Sequence, residues 1–93
     1  MAERVVGEVV EGHKGCAIEV PFDPAERFGR PAVALRAGRR GHRVRVDVAG
    51  VVGTAEIVPR MRRFWLRLDD DLLACAGLTA GDVATVDVDV DVD

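Results

Sequence analysis

The chain has 93 residues, enough for one modest core and too few for two. Its apolar fraction of 48% is ordinary for a globular protein, and no apolar run approaches the ~20 residues a membrane-spanning helix requires. The net charge of −3 hides a segregation, because residues 36–67 carry nine Arg against Asp47 and Glu56, whereas residues 68–93 carry eight Asp and no basic group.

The apolar residues are mainly Val and Ala, and Val favours strands because its branched Cβ packs well on a pleated surface. Residues 4–10 read as a first strand, with Gly7 placed for a bulge. Gly12-His13-Lys14-Gly15 signals a turn. Cys16, Ile18 and Val20 alternate with Ala17 and Glu19, as in a half-buried strand that Pro21 ends. Asp23 can cap a short helix in which Pro24 takes the first position, Glu26 completes a capping box and Gly29 is the left-handed stop. Ala32 to Arg36 reads as a brief strand and residues 37–41 as an Arg-rich loop.

Over Arg43 to Val48 the three Val face inward and the charged residues outward. Ala49-Gly50 turns the chain into a hairpin partner at Val52 to Val58, and Pro59 to Arg62 follow as a basic connection. Phe64, Leu66 and Leu68 line one face of the next strand, with Trp65 and Arg67 opposite. Asp69-Asp70-Asp71 opens a second short helix through Leu72, Leu73 and Ala76, its acidic start complementing the helix dipole and Gly77 stopping it. Thr79 to Asp82 is a turn. Val83 to about Val90 is the last strand, and the final residues are expected to fray.

The two halves look alike. Ile18-Glu19-Val20 and a short helix ending at Gly29 are matched by Leu66-Arg67-Leu68 and a short helix ending at Gly77, at a constant offset of 48. Val46-Asp47-Val48 and Val86-Asp87-Val88 match at an offset of 40, so the first half carries eight extra residues, mostly in the Arg-rich loop. A strand–short helix–strand unit used twice predicts a single mainly-β domain over 1–93, a small pseudo-symmetric barrel with two short helices. Closure would remove exposed sheet edges.

Val20-Pro21-Phe22, Phe28-Gly29, the Val44 to Gly50 strand and turn, Val58-Pro59, Ala76-Gly77-Leu78 and Gly81-Asp82-Val83 with Val86 stand in the order of a known pattern. In these pieces the chain resembles DUF1905, a bacterial family of domains of unknown function. The resemblance implies a double-split β-barrel, akin in fold to AbrB- and MazE-type DNA-binding domains, and no activity. Where relatives often have a Gly-rich stretch after the Pro, this chain has Arg60-Met61-Arg62-Arg63.

Groups suited to catalysis are few. There is no Ser, Asn, Gln or Tyr, and the plausible nucleophiles are Cys16, Cys75, Lys14 and three Thr. Both thiols are expected to be reduced, buried and inert. His13 and Cys16 are spaced as two metal ligands without a second pair, and His42 is expected to be an exposed histidine at a strand start. Asp87, Asp89, Asp91 and Asp93 fall along one strand face rather than around a cage, which suits a solvated face better than a calcium site. Arg43 and Arg45, on the equivalent strand of the first half, could form a cross-strand ladder with these Asp. No cofactor or metal is called for.

The functional hint is basic. Arg36, Arg39, Arg40, Arg43 and Arg45, with Arg60, Arg62 and Arg63, could make a surface for phosphate oxygens, with Trp65 near enough to stack on a base. The acidic last strand would oppose that use. The leading expectation is a non-catalytic binding or interaction module that takes a protein partner or a small molecule, or self-associates as a homodimer. An AbrB-like nucleic-acid binder using the Arg36–Arg63 surface is the alternative, and a small enzyme the third reading. The opening Met1-Ala2-Glu3-Arg4 lacks the features of a signal peptide, so a cytoplasmic location without membrane attachment is expected.

Overall fold

A computed structural model describes residues 3–12, 15–36 and 38–90, except for the side chain of Arg36. His13, Lys14, Asp91 and Asp93 therefore lie outside the described residues. Eight strands and two short helices follow in chain order: β1 (Glu3–Glu8), β2 (Val10–Gly12), β3 (Gly15–Val20), α1 (Pro24–Phe28), β4 (Val33–Arg36), β5 (Arg39–Val48), β6 (Val51–Arg60), β7 (Arg63–Leu68), α2 (Asp70–Ala76) and β8 (Val83–Val90). The fold is mostly β, as the alternation predicts. No helix among the described residues is long and apolar enough to cross a membrane.

The strands run antiparallel in the order β1-β8-β5-β6-β7-β3-β2, with β4 paired to β5 off this path. The first and last strands of that order, β1 and β2, are separated in sequence by Val9 alone. One stretch of chain thus pairs with β8 through its first half and with β3 through its second, which curls the sheet into a barrel-like shell. The ladder breaks at Val9, whose N–H donates to the Asp82 carbonyl at 2.8 Å. Gly7, expected to form a bulge, instead keeps regular register with Ala84. A Cβ there would stand 2.7 Å from Ile18 Cγ2, so Gly7 serves close packing rather than a kink.

Alternation places Val5, Ile18, Val44, Val46, Val48, Ile57, Leu66, Val86 and Val88 inside the curl, all essentially inaccessible to solvent. Each buried aliphatic of this size stabilises the fold by roughly 1.5–3 kcal/mol relative to exposure. Leu72 and Leu73 of α2 are buried in the same cluster, and Phe22 meets Phe28 edge-on at 5.8 Å under α1.

The internal repeat is visible in the ladders. Ile18 pairs with Leu66, its own counterpart at offset 48, and Asp47 pairs with Asp87, its own counterpart at offset 40. A residue paired with its own counterpart marks a pseudo-twofold axis. The flanking ladders obey that axis: Asp47↔Val52 corresponds to Asp87↔Arg4, Val58↔Trp65 to Val10↔Ala17, and Arg60↔Arg63 to Gly12↔Gly15. Both helices end in a left-handed glycine, Gly29 at φ 68° and Gly77 at φ 71°. Their starts differ. Asp23 caps α1 through the Ala25 N–H at 2.9 Å, but α2 is capped by Asp69, not the equivalent Asp71, through the Leu72 N–H at 2.7 Å, which makes it two residues longer.

Two predicted loops are strands instead. Arg39-Arg40-Gly41 begins β5 and pairs back on β4 as a hairpin, with Ala34 opposite Arg40. Pro59 and Arg60 continue β6, and the turn is Met61-Arg62, both left-handed at φ 53° and 66°. Such a two-residue turn suits the twist of its strands and normally uses Asn-Gly, so the sequence concealed it. Arg60 and Arg63 close this hairpin, which makes Pro59↔Phe64 a pair without ladder hydrogen bonds. The missing Pro59 N–H then faces the β5 side, where the β5–β6 ladder has already ended at His42↔Ile57, so proline costs no bond there.

Candidate functional site

The outer surface of β2, β3, β7 and β6 forms the floor of a groove of about 1150 Å³. Val10, Ala17, Trp65, Val58 and Pro59 supply apolar area to this floor. The β4–β5 hairpin makes one side, contributing Gly38, Arg39 and Arg40. Arg60, Met61 and Arg63 enter from the β6–β7 hairpin, and Arg67 from further along β7. The groove therefore carries five arginines and, among the described residues, no carboxylate in its lining.

Gly41 allows the β4–β5 hairpin to lie this close. A Cβ there would fall against the Ile57 carbonyl oxygen and stand 3.0 Å from Leu35 Cδ1 and 3.3 Å from Val58 Cγ1. Arg40 ties the hairpin to its approach segment by donating from Nη2 to the Ala32 carbonyl at 3.0 Å. Next to it, His42 is buried, not exposed as expected, and its Nε2–H donates to the Arg30 carbonyl at 2.8 Å.

The arginines are engaged unequally. Arg63 donates to Glu19 at 3.3 Å, an exposed pair of the kind that contributes little. Arg67 stands opposite Glu56 in the β6–β7 register. Arg39, half-buried, and Arg60, exposed, form no ion pair among the described residues. Trp65 is half-buried between Val58 and Glu19 in the register, with its neighbours Arg63 and Arg67 on the same face of β7.

Of the nine residues expected to form one basic surface, the groove gathers five: Arg39, Arg40, Arg60, Arg63 and Trp65. Arg43 lines an adjoining recess of about 410 Å³ with Glu56, Asp69 and Asp70, where charges of both signs meet and which shares Gly15, Cys16 and Arg67 with the groove. Arg45 lies beyond it, opposite Thr54 and Asp89. Arg62 is exposed at the turn and lines neither, and the Arg36 side chain is outside the described residues. Of the expected ladder, Arg45 does stand opposite Asp89, but Asp87 stands opposite Asp47 and is met by Arg4 at 3.0 Å; that hydrogen bond and the Asp87 charge raise the Arg4 pKa above its ordinary value. Among the thiols, Cys16 is half-buried on the inner face and Cys75 is exposed on α2, against the expectation that both are buried.

The family model for a domain of unknown function, DUF1905, matches residues 6–88. The chain belongs to the DUF1905 family. No curated protein matches it. The match spans both repeat halves of this DUF1905 domain and every groove residue.

The two halves differ most at the groove. The counterparts of Arg60, Arg63, Trp65 and Arg67 at offset 48 are Gly12, Gly15, Ala17 and Glu19, whereas Val58 and Val10 are alike. The eight extra residues of the first half supply β4 and the start of β5, the hairpin that brings in Arg39 and Arg40. Sequence reasoning missed Arg67, Met61 and Val10 as lining residues. Comparing the halves position by position would have exposed the substitutions, but not that the inserted hairpin folds over them.

Proposed function

We propose that this protein is a non-catalytic binding module whose site is the arginine groove and whose ligand is anionic. The observation that carries the reading is convergence. The inserted hairpin and the Gly/Ala-to-Arg/Trp substitutions are separate departures from the pseudo-twofold pattern, yet they meet in one groove. A general compositional drift toward Arg would load both halves alike. It would not leave Gly12, Gly15 and Ala17 as the counterparts of Arg60, Arg63 and Trp65.

The chemistry of the lining supports binding rather than turnover. Guanidinium groups present fixed forks of donors that match carboxylate and phosphate oxygens. Among the described residues the groove lining offers no carboxylate or imidazole to act as a general base; the carboxylates of Glu56, Asp69 and Asp70 line the adjoining recess instead.

The test is a thermal melt with pyrophosphate at low salt, read with calorimetric titration. A ligand bound only by the folded state raises the melting temperature, and added salt weakens the effect as it screens exposed charge. Pyrophosphate is expected to raise the melting temperature of the parent and to leave a protein carrying Arg39→Glu and Arg60→Glu unmoved. Absence of both a shift and a binding heat in the parent would overturn the proposal.

A further inference from the structure

We infer that the groove holds a nucleoside phosphate, with its base on Trp65 and its phosphate between Arg39 and Arg60. This rests on the reading of the groove as an anion site and adds a flat, aromatic component to the ligand.

Trp65 stands on β7 opposite Glu19 of β3, with Ala17, its counterpart across the pseudo-twofold axis, on the diagonal and the Gly12–Gly15 pair beyond it. Ala17, Gly15 and Gly12 line the same groove, so no large side chain fills the space on that side of the ring. Val10, Val58 and Pro59 complete an apolar floor suited to a planar ring rather than to an inorganic ion. A groove of about 1150 Å³ exceeds what phosphate alone would need.

Charge is placed at one end of this floor. Arg60 precedes the Met61-Arg62 turn, and Arg39 comes from the β4–β5 hairpin. Neither forms an ion pair among the described residues, so their forks are available to phosphate oxygens while the base stacks on the indole. The chain contains no Asn or Gln, which removes the usual side chains for reading an adenine edge, whereas the arginines of the lining are suited to the acceptor edge of guanine. Recognition of adenine is therefore by stacking and charge alone, and guanine is bound at least as well.

A free nucleotide and a single-stranded nucleic acid share this chemistry. Trp65 is the only tryptophan, so its fluorescence reports the site directly. The full chain is titrated at low salt with pyrophosphate, ATP, GTP, a six-nucleotide single strand and a duplex of the same sequence. ATP and GTP are expected to quench Trp65 and to bind about tenfold or more tighter than pyrophosphate, GTP at least as tightly as ATP. A single strand binding tighter than ATP identifies a strand as the source, and a weaker one identifies the free nucleotide. Duplex binding tighter than both, without quenching, would overturn the inference.

Pyrophosphate binding equal to that of ATP would overturn the base-stacking inference and leave the anion reading standing; binding of no anion would remove both. Ala17→Leu fills the space beside the indole and is expected to weaken ATP about tenfold while leaving pyrophosphate within about twofold. Trp65→Leu, followed by calorimetry, is expected to do the same. If both variants melt like the parent and bind ATP as well as it does, the inference is wrong.

Discussion

Replacing Gly41 with Ala tests whether close contact between the β4–β5 hairpin and β6 builds the groove. The added methyl meets three neighbours of unequal compliance. Leu35 Cδ1 at 3.0 Å is the end of a side chain and can rotate away, and Val58 Cγ1 at 3.3 Å requires a few tenths of an ångström. The Ile57 carbonyl oxygen belongs to the backbone of β6, held on both sides by β5 and β7, and cannot yield without disturbing a ladder. The hairpin must therefore lift. Overpacking of this kind costs about 1–3 kcal/mol. At about 4–8 °C per kcal/mol for a domain of this size, melting falls by at least about 4 °C. Lifting also carries Arg39 away from Arg60, so pyrophosphate affinity falls with it. Gly12→Ala is the control, because its Cβ would find only the Gly15 carbonyl oxygen at an ordinary 3.4 Å. It should melt like the parent or slightly higher, by restricting the unfolded chain. Circular-dichroism melts and calorimetry on the two variants decide the matter. A Gly41→Ala protein melting within about 2 °C of the parent with full affinity would refute the reasoning.

Three further outcomes check the fold around the site. His42→Ala removes the donor to the Arg30 carbonyl and should cost about 1–3 kcal/mol in urea unfolding; an unchanged midpoint would mean that the buried ring does not anchor the hairpin approach. Val46→Ala should cost about 2 kcal/mol and Val52→Ala almost nothing, since Val46 is 1% exposed and Val52 65%; equal effects would contradict the inside–outside assignment of β5 and β6. A thiol reagent applied to the folded protein should label exposed Cys75 well before half-buried Cys16, read by mass spectrometry of peptides, and the reverse order would contradict the placement of α2.

Much of the fold is legible in the chain because alternation is a direct record of burial. Val44, Val46, Val48, Leu66 and Val86 read as inward, and they are. The offsets of 48 and 40 reappear as self-paired residues at Ile18↔Leu66 and Asp47↔Asp87, so the repeat is a property of the ladders as well as of the letters. What escaped depends on tertiary context. Met61-Arg62 adopts left-handed turn geometry without the residues that normally announce it, and Pro59 is tolerated because the β5–β6 ladder has already ended. The strand start at Arg39 is set by pairing with β4, which the letters Arg39-Arg40-Gly41 do not record. The candidate site was half legible. Arg39, Arg40, Arg60, Arg63 and Trp65 do gather, but Arg43 stands one strand beyond Arg67 in the same cross-strand row, with Glu56 between them, and Arg45 lies further along β5. Their charge carried no information about how far along the sheet they would fall or which carboxylates would stand beside them.

The most direct measurement is a two-dimensional nitrogen–proton NMR titration of the labelled protein with pyrophosphate at low salt. Shift changes should concentrate on the Trp65 indole N–H and on the amides of Arg39, Arg60 and Arg63, and stay small along β8 and α2. Changes centred on Arg43, Arg45 and the strand carrying Asp87, with the indole signal unmoved, would contradict the claim that the asymmetric groove is where this protein binds.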